Sequence, residues 1–184
     1  MTGAMRADAQ ENQDRILEVA AAAFSRPGAD TSLKAIAKEA GVGIGTLYRR
    51  FPTREDLVEA TYRAETKRLA RSASALLAKN PPLFALREWM TLFVTYMLTK
   101  QGMADTLPAI LADHEGLRAH SRELLHTAVR ELRDASVRAG AIRDDVPATD
   151  ILMALGGITL ISSHEQDGEL AERLLDLLTS GLHP

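Results

Sequence analysis

The sequence predicts an all-α protein of about nine helices, and three observations carry that prediction. Apolar residues recur three and four apart through most of the chain, no window shows the valine, isoleucine and threonine alternation of strands, and glycine or proline interrupts the pattern at helix-length intervals. The composition agrees: 46% of residues are apolar and 4% aromatic, so leucine and alanine must fill most of the core.

Met1 to Gln10 carries no periodic apolar pattern and is assigned as a flexible arm, with an extension of the next helix as the alternative. From Glu11, Ile16, Leu17, Ala20, Ala23 and Phe24 recur at helical spacing until Pro27 and Gly28 end the run. Thr31 or Ser32 caps the next helix, whose inward stripe is Leu33, Ile36, Ala37 and Ala40, and Gly41 stops it. A short segment from Ile44 to Phe51 sets Leu47 and Phe51 one turn apart, with a polar opposite side. Pro52 breaks the chain, and Thr53 followed by Glu55 and Asp56 starts a helix that runs to about Lys79. Asn80, Pro81 and Pro82 mark a boundary, since a proline inside a helix forfeits a hydrogen bond. Further helices are expected near Leu83 to Lys100, Met103 to Ala112, Gly116 to Ala139, Ala148 to His164 and Gly168 to Ser180. No internal repeat or low-complexity tract is visible.

The absence of cysteine excludes disulfides, thiol catalysis and cysteine-ligated zinc, and fits a reducing cytosol. No uncharged apolar run is long enough to cross a membrane and the first residues lack the apolar core of a signal peptide, so a cytoplasmic location is expected. His114, His120 and His126 stand six apart and share no helix face as an i, i+4 pair would, so no metal site is assigned. Ser162, Ser163, His164 and Glu165 resemble hydrolase chemistry in composition only, because adjacent residues of one helix point in different directions. No cofactor is implied.

Charge is distributed unevenly. The net charge is −3, yet Ser32 to Arg54 holds the cations Lys34, Lys38, Arg49, Arg50 and Arg54 against the single acid Glu39. Two short helices joined by a glycine turn, the second amphipathic and flanked by local positive charge, suit entry of that second helix into a DNA major groove.

The run from Ser32 to Phe51, SLKAIAKEAGVGIGTLYRRF, followed by Thr53-Arg-Glu-Asp-Leu57, resembles the TetR family of bacterial regulators over about Gln13 to Glu59. The resemblance implies a helix-turn-helix DNA-binding domain at 11–58 and a helical ligand-binding and dimerisation domain at 59–184. It puts Lys34, at the start of the bracing helix, and Thr46, Tyr48, Arg49 and Arg54 where the family meets phosphates, with Ser32 also expected among the DNA-binding residues. Ile44, Gly45 and Arg50 lie where base edges would be reached. Gly43 and Gly45 stand where the family often carries a polar side chain, so direct readout is sparse, and Ile44 suits a thymine methyl.

The region beyond Pro82 supports the second domain on its own residues. Ile151, Leu152, Leu155, Ile158, Leu160 and Ile161 make a helix apolar on more than one side, with Gly156 and Gly157 permitting close approach. The final helix repeats Leu170, Leu174, Leu175, Leu177 and Leu178. Leu152, Leu155, Gly156, Leu160, Leu170, Leu174, Leu177 and Leu178 are expected at a twofold homodimer interface; completion of a monomer core is the alternative. A small-molecule pocket is expected from Trp89, Phe93, Tyr96, Met97, Met103, Leu107, Ile110, His126 and Met153, of which each apolar residue also suits plain packing.

The expected function is a repressor, associated with the nucleoid, that binds double-stranded palindromic operator DNA as a dimer and is released by a small-molecule effector. A transcriptional activator of the same fold, a helical-bundle enzyme or carrier, and a partner-binding bundle with an incidental basic face are the alternatives.

Overall fold

The structure, a computed structural model, describes residues 2–26, 28–165 and 169–184, and the side chains of these apart from residues 2–9 and 164. Pro27, Gly168 and the His164 side chain, all used as sequence signals above, lie outside the described residues. Among those described there are nine helices and no strand: α1 (Thr2–Ser25), α2 (Leu33–Glu39), α3 (Ile44–Arg50), α4 (Arg54–Leu77), α5 (Pro82–Gln101), α6 (Leu107–Asp113), α7 (Glu115–Arg138), α8 (Ala148–Glu165) and α9 (Leu170–Gly181). The all-α expectation is met.

Two boundaries differ from expectation by more than two residues. Helix α1 begins at Thr2 rather than Glu11, because 2–10 is rich in good helix formers and its glycine is no barrier so close to a helix end. Helix α6 begins at Leu107 rather than Met103, since 102–106 is a turn. Pro108, at the first positions of α6, fits a helix start, where a missing N–H costs nothing.

The chain forms two compact units, Met1–Glu65 with Thr99–Glu115, and Thr66–Leu98 with Gly116–Pro184. In the first, α1 packs on α2 and α2 on α3. Its core includes Ile16, Ala20, Phe24, Ile36, Leu47, Phe51, Leu57 and Val58, joined by Met103, Leu107 and Ile110 from the second stretch. Fully burying a side chain such as Ile36 or Leu47 is worth roughly 1.5–3 kcal/mol, so these contacts set the angle between α2 and α3. Gly41 makes the turn between them with φ +66°, a left-handed backbone that glycine adopts without steric cost.

In the second unit α8 packs on α9, and Leu86, Trp89, Met90, Leu132, Ile151, Leu155 and Leu175 are buried. The Trp89 indole N–H donates to the Leu69 carbonyl at 2.9 Å, and the Tyr96 hydroxyl pairs with that of Thr66 at 3.2 Å, so both polar tips are satisfied inside the core. Arg87 joins α5 to α9 by donating to Asp176 at 2.8 Å and Glu172 at 2.6 Å.

Candidate nucleic-acid interface

Helix α2 starts where its sequence says it should. The Ser32 hydroxyl accepts from the Ala35 N–H at 3.2 Å, and Asp30 accepts from the Ser32 N–H at 2.9 Å. The Ser32 N–H first, and its side chain second, hold the Asp30 carboxyl below its ordinary value. Lys34 and Lys38 are exposed on α2.

Helix α3 is seven residues long and amphipathic at short range. Leu47 is fully buried, and Phe51 just beyond the helix is 4% exposed, so the inward pair is as expected. The remaining surface is outward: Ile44 is 42% and Tyr48 49% exposed, and Gly45, Arg49 and Arg50 are exposed as well. Ile44 and Tyr48 thus stand on the same outward surface as two arginines. The Arg49 guanidinium donates to the half-buried Thr46 hydroxyl at 3.1 Å, which steadies it along the helix.

Arg54, expected beside these cations, is held differently. Its Nη1 donates to the Thr31 carbonyl at 2.7 Å and its Nη2 to the Thr31 hydroxyl and to Asp105, each at 3.2 Å. The guanidinium carbon lies 5.6 Å from the Phe24 ring centroid, and the side chain is 29% exposed. Burial pushes the Asp105 carboxyl up, but the Thr106 hydrogen bond and the Arg54 charge outweigh it and keep the carboxyl below its ordinary range.

The expected pocket residues fall into both units. Met103, Leu107 and Ile110 are buried in the first; Trp89, Phe93 and Tyr96 are buried in the second, Met97 is half-buried there, and Met153 is 67% exposed. Trp89, Phe93 and Tyr96 form a ladder of tilted rings with centroids 5.8 and 6.0 Å apart. His126 pairs with Thr149 at 3.1 Å on the wall of an open surface cleft of about 350 Å³.

The expected dimer residues divide by face. Leu155 is fully buried in its own unit, Leu160 is 57% and Leu177 69% exposed, and Leu152, Gly156, Leu170, Leu174 and Leu178 are half-buried. Met153, expected in the pocket, instead faces outward on α8; with Gly157, Leu160 and Ile161 it recurs at i, i+4, i+7 and i+8 and forms one exposed stripe. No side chain stands within 4 Å of where a Cβ on Gly156 or Gly157 would be.

Comparison with known proteins bears on both ends. Residues 16–61 match the family model of bacterial regulatory proteins of the tetR family, and residues 81–184 match that of the SbtR-like transcriptional regulator C-terminal domain. A TetR transcriptional regulator from Streptomyces coelicolor is 49% identical, with 93% of this chain and 98% of that one covered and a TM-score of 0.84. A TetR regulatory protein from Mycobacterium vanbaalenii is 32% identical over 98% of this chain and 99% of its own, with a TM-score of 0.80. Curated HTH-type transcriptional regulators of Staphylococcus aureus are 50% identical over 54 residues, and the chain spans 29% of their length.

Proposed function

The chain belongs to the TetR family of bacterial regulatory proteins, and from that premise we propose that it is a repressor that binds a palindromic operator as a homodimer and is released by a small-molecule effector. The observation that carries the DNA-binding part is the outward face of α3, where Ile44, Tyr48, Arg49 and Arg50 are exposed around a buried Leu47. Lys34, Tyr48 and Arg49 supply phosphate contacts that fix register, with Ser32 and Thr46 shaping the backbone beside them. Ile44 and Arg50 reach base edges, Gly45 letting the helix approach closely, so apolar contact with a thymine methyl and one arginine carry most direct readout.

The dimer reading is supported by the exposed stripe Met153, Gly157, Leu160 and Ile161 on α8 together with Leu177 on α9. A twofold pairing covers the stripe with its own copy and presents two α3 helices to half-sites about one DNA turn, roughly 34–36 Å, apart. Such a protein works in the cytoplasm beside the chromosome; among the described residues no helix is long and apolar enough to cross a membrane. The effector enters the second unit along α5, by Trp89, Phe93, Tyr96 and Met97, and releases DNA by binding more tightly to a form that does not match the operator. An activator of the same fold is the remaining reading, and transcription from a bound promoter decides between them.

Enrichment of a randomised duplex pool by the purified chain tests the proposal. Recovery of an inverted repeat with half-sites about one turn apart is expected; recovery of no sequence above background overturns it.

A further inference from the structure

We propose that Arg54 is a positioning residue for DNA recognition and not a phosphate contact: its guanidinium fastens the end of α1, the start of α2 and the 102–106 turn into one rigid base for α3. The inference deepens the DNA-binding reading and rests on it.

Four segments meet at this side chain, all within the first unit. Thr31, whose carbonyl and hydroxyl both accept from the guanidinium, directly precedes the Ser32 cap of α2. Phe24, under the guanidinium, is 3% exposed and closes the last turns of α1. Asp105 comes from the 102–106 turn, which is pressed onto α1 so closely that a Cβ on Gly102 would stand 1.7 Å from the Phe24 carbonyl oxygen. Arg54 itself opens α4. Both terminal nitrogens are engaged, and the charge is offset by a carboxylate 3.2 Å away. Arg49 and Arg50 on α3 are, by contrast, exposed and aimed outward. A phosphate site needs a cation free to meet it; a brace needs a planar fork with partners on several sides, and lysine, a point charge, cannot replace that fork.

The test uses the full chain and the variants Arg54→Ala, Arg54→Lys and Asp105→Asn. Each is titrated against a duplex that the wild type enriches from a random pool and against a scrambled duplex, between about 50 and 200 mM salt. Amide hydrogen exchange of Ala35 and Ile36, which donate to Ser32, is followed in the free protein.

Positioning predicts that Arg54→Lys, which keeps the charge, loses about tenfold or more in affinity for the selected duplex and much of its discrimination. It also predicts faster exchange at Ala35 and Ile36, and a salt slope unchanged in Arg54→Ala. Asp105→Asn is expected to weaken selective binding although it removes a negative charge. A direct phosphate contact predicts the opposite: Arg54→Lys binds like wild type, Arg54→Ala lowers the slope by about 0.9, and Asp105→Asn binds more tightly. That pattern overturns the proposal. Should Arg54→Ala fail to fold, the other two variants decide. If the wild type enriches no sequence, the DNA reading fails separately, and unaltered exchange at Ala35 and Ile36 in Arg54→Lys overturns the brace.

Discussion

A methyl group at Gly102 is the sharpest single perturbation of the DNA-binding unit. Gly102 has no positive φ, so alanine is conformationally acceptable there and the effect is purely one of space. Its Cβ would lie 1.7 Å from the Phe24 carbonyl oxygen and 2.6 Å from the carbonyl carbon, against an ordinary contact of 3.4 Å or more. Backbone atoms, unlike a side-chain tip, have no rotamer to escape into, so the 102–106 turn must withdraw from α1 by well over an ångström. Overpacking of a close-packed site costs about 1–3 kcal/mol, occasionally more, and a backbone obstacle belongs at the upper end, about 3 kcal/mol. For a chain of this size each kcal/mol lowers the thermal midpoint by about 2–4 °C, giving a drop of about 6–12 °C. Thermal unfolding followed by circular dichroism measures it, with Gly116→Ala as the control, since a Cβ there meets nothing within 4 Å. A Gly102→Ala midpoint within about 2 °C of wild type would refute the close approach.

Other predictions follow from the same contacts. Leu47→Ala empties a fully buried site between α2 and α3 and should destabilise the chain by about 3 kcal/mol in urea titrations. Arg49→Ala should weaken binding to selected and scrambled duplexes alike and reduce the salt slope by about 0.9, whereas Arg50→Ala should cost the selected duplex more than the scrambled one, both read by fluorescence anisotropy. Met153→Glu with Leu177→Glu places uncompensated charge on the exposed stripe of α8 and α9, and the expected result is a monomer by light scattering with the helical spectrum preserved. The Asp30 and Asp105 carboxyls lie below their ordinary value of 3.8 in the folded chain, so they contribute stability above that value and lose it as acid titrates them. The thermal midpoint should therefore fall below about pH 4, and less steeply in an Asp30→Asn, Asp105→Asn variant.

The helix-turn-helix was legible in the sequence because each of its signals is local. Ser32 caps, Gly41 turns, Leu47 and Phe51 share a face one turn apart, and Pro52 breaks the chain. The start of α6 was less legible because Met103 continues an apolar rhythm through a turn, although Pro108 pointed to the later start. On α8 the phase was hidden: a helix apolar on more than one side does not say whether Leu155 or Met153 faces its own core, and it is the packed unit that buries Leu155 and leaves Met153 exposed. Arg54 shows the same limit for charge. Its presence near other cations was plain, but its partner Asp105 is distant in sequence, and nothing local reveals that the cation is already engaged.

In the proposed dimer, two copies of the outward face of α3 read double-stranded DNA. The most direct test is the binding stoichiometry and salt dependence of the chain on its selected duplex, measured by anisotropy from about 50 to 200 mM salt. Two protomers per inverted repeat, affinity that falls steeply with salt, and a clear preference over scrambled DNA are expected. Equal and weak binding to both duplexes, or one protomer bound per site with no salt dependence, would contradict that reading.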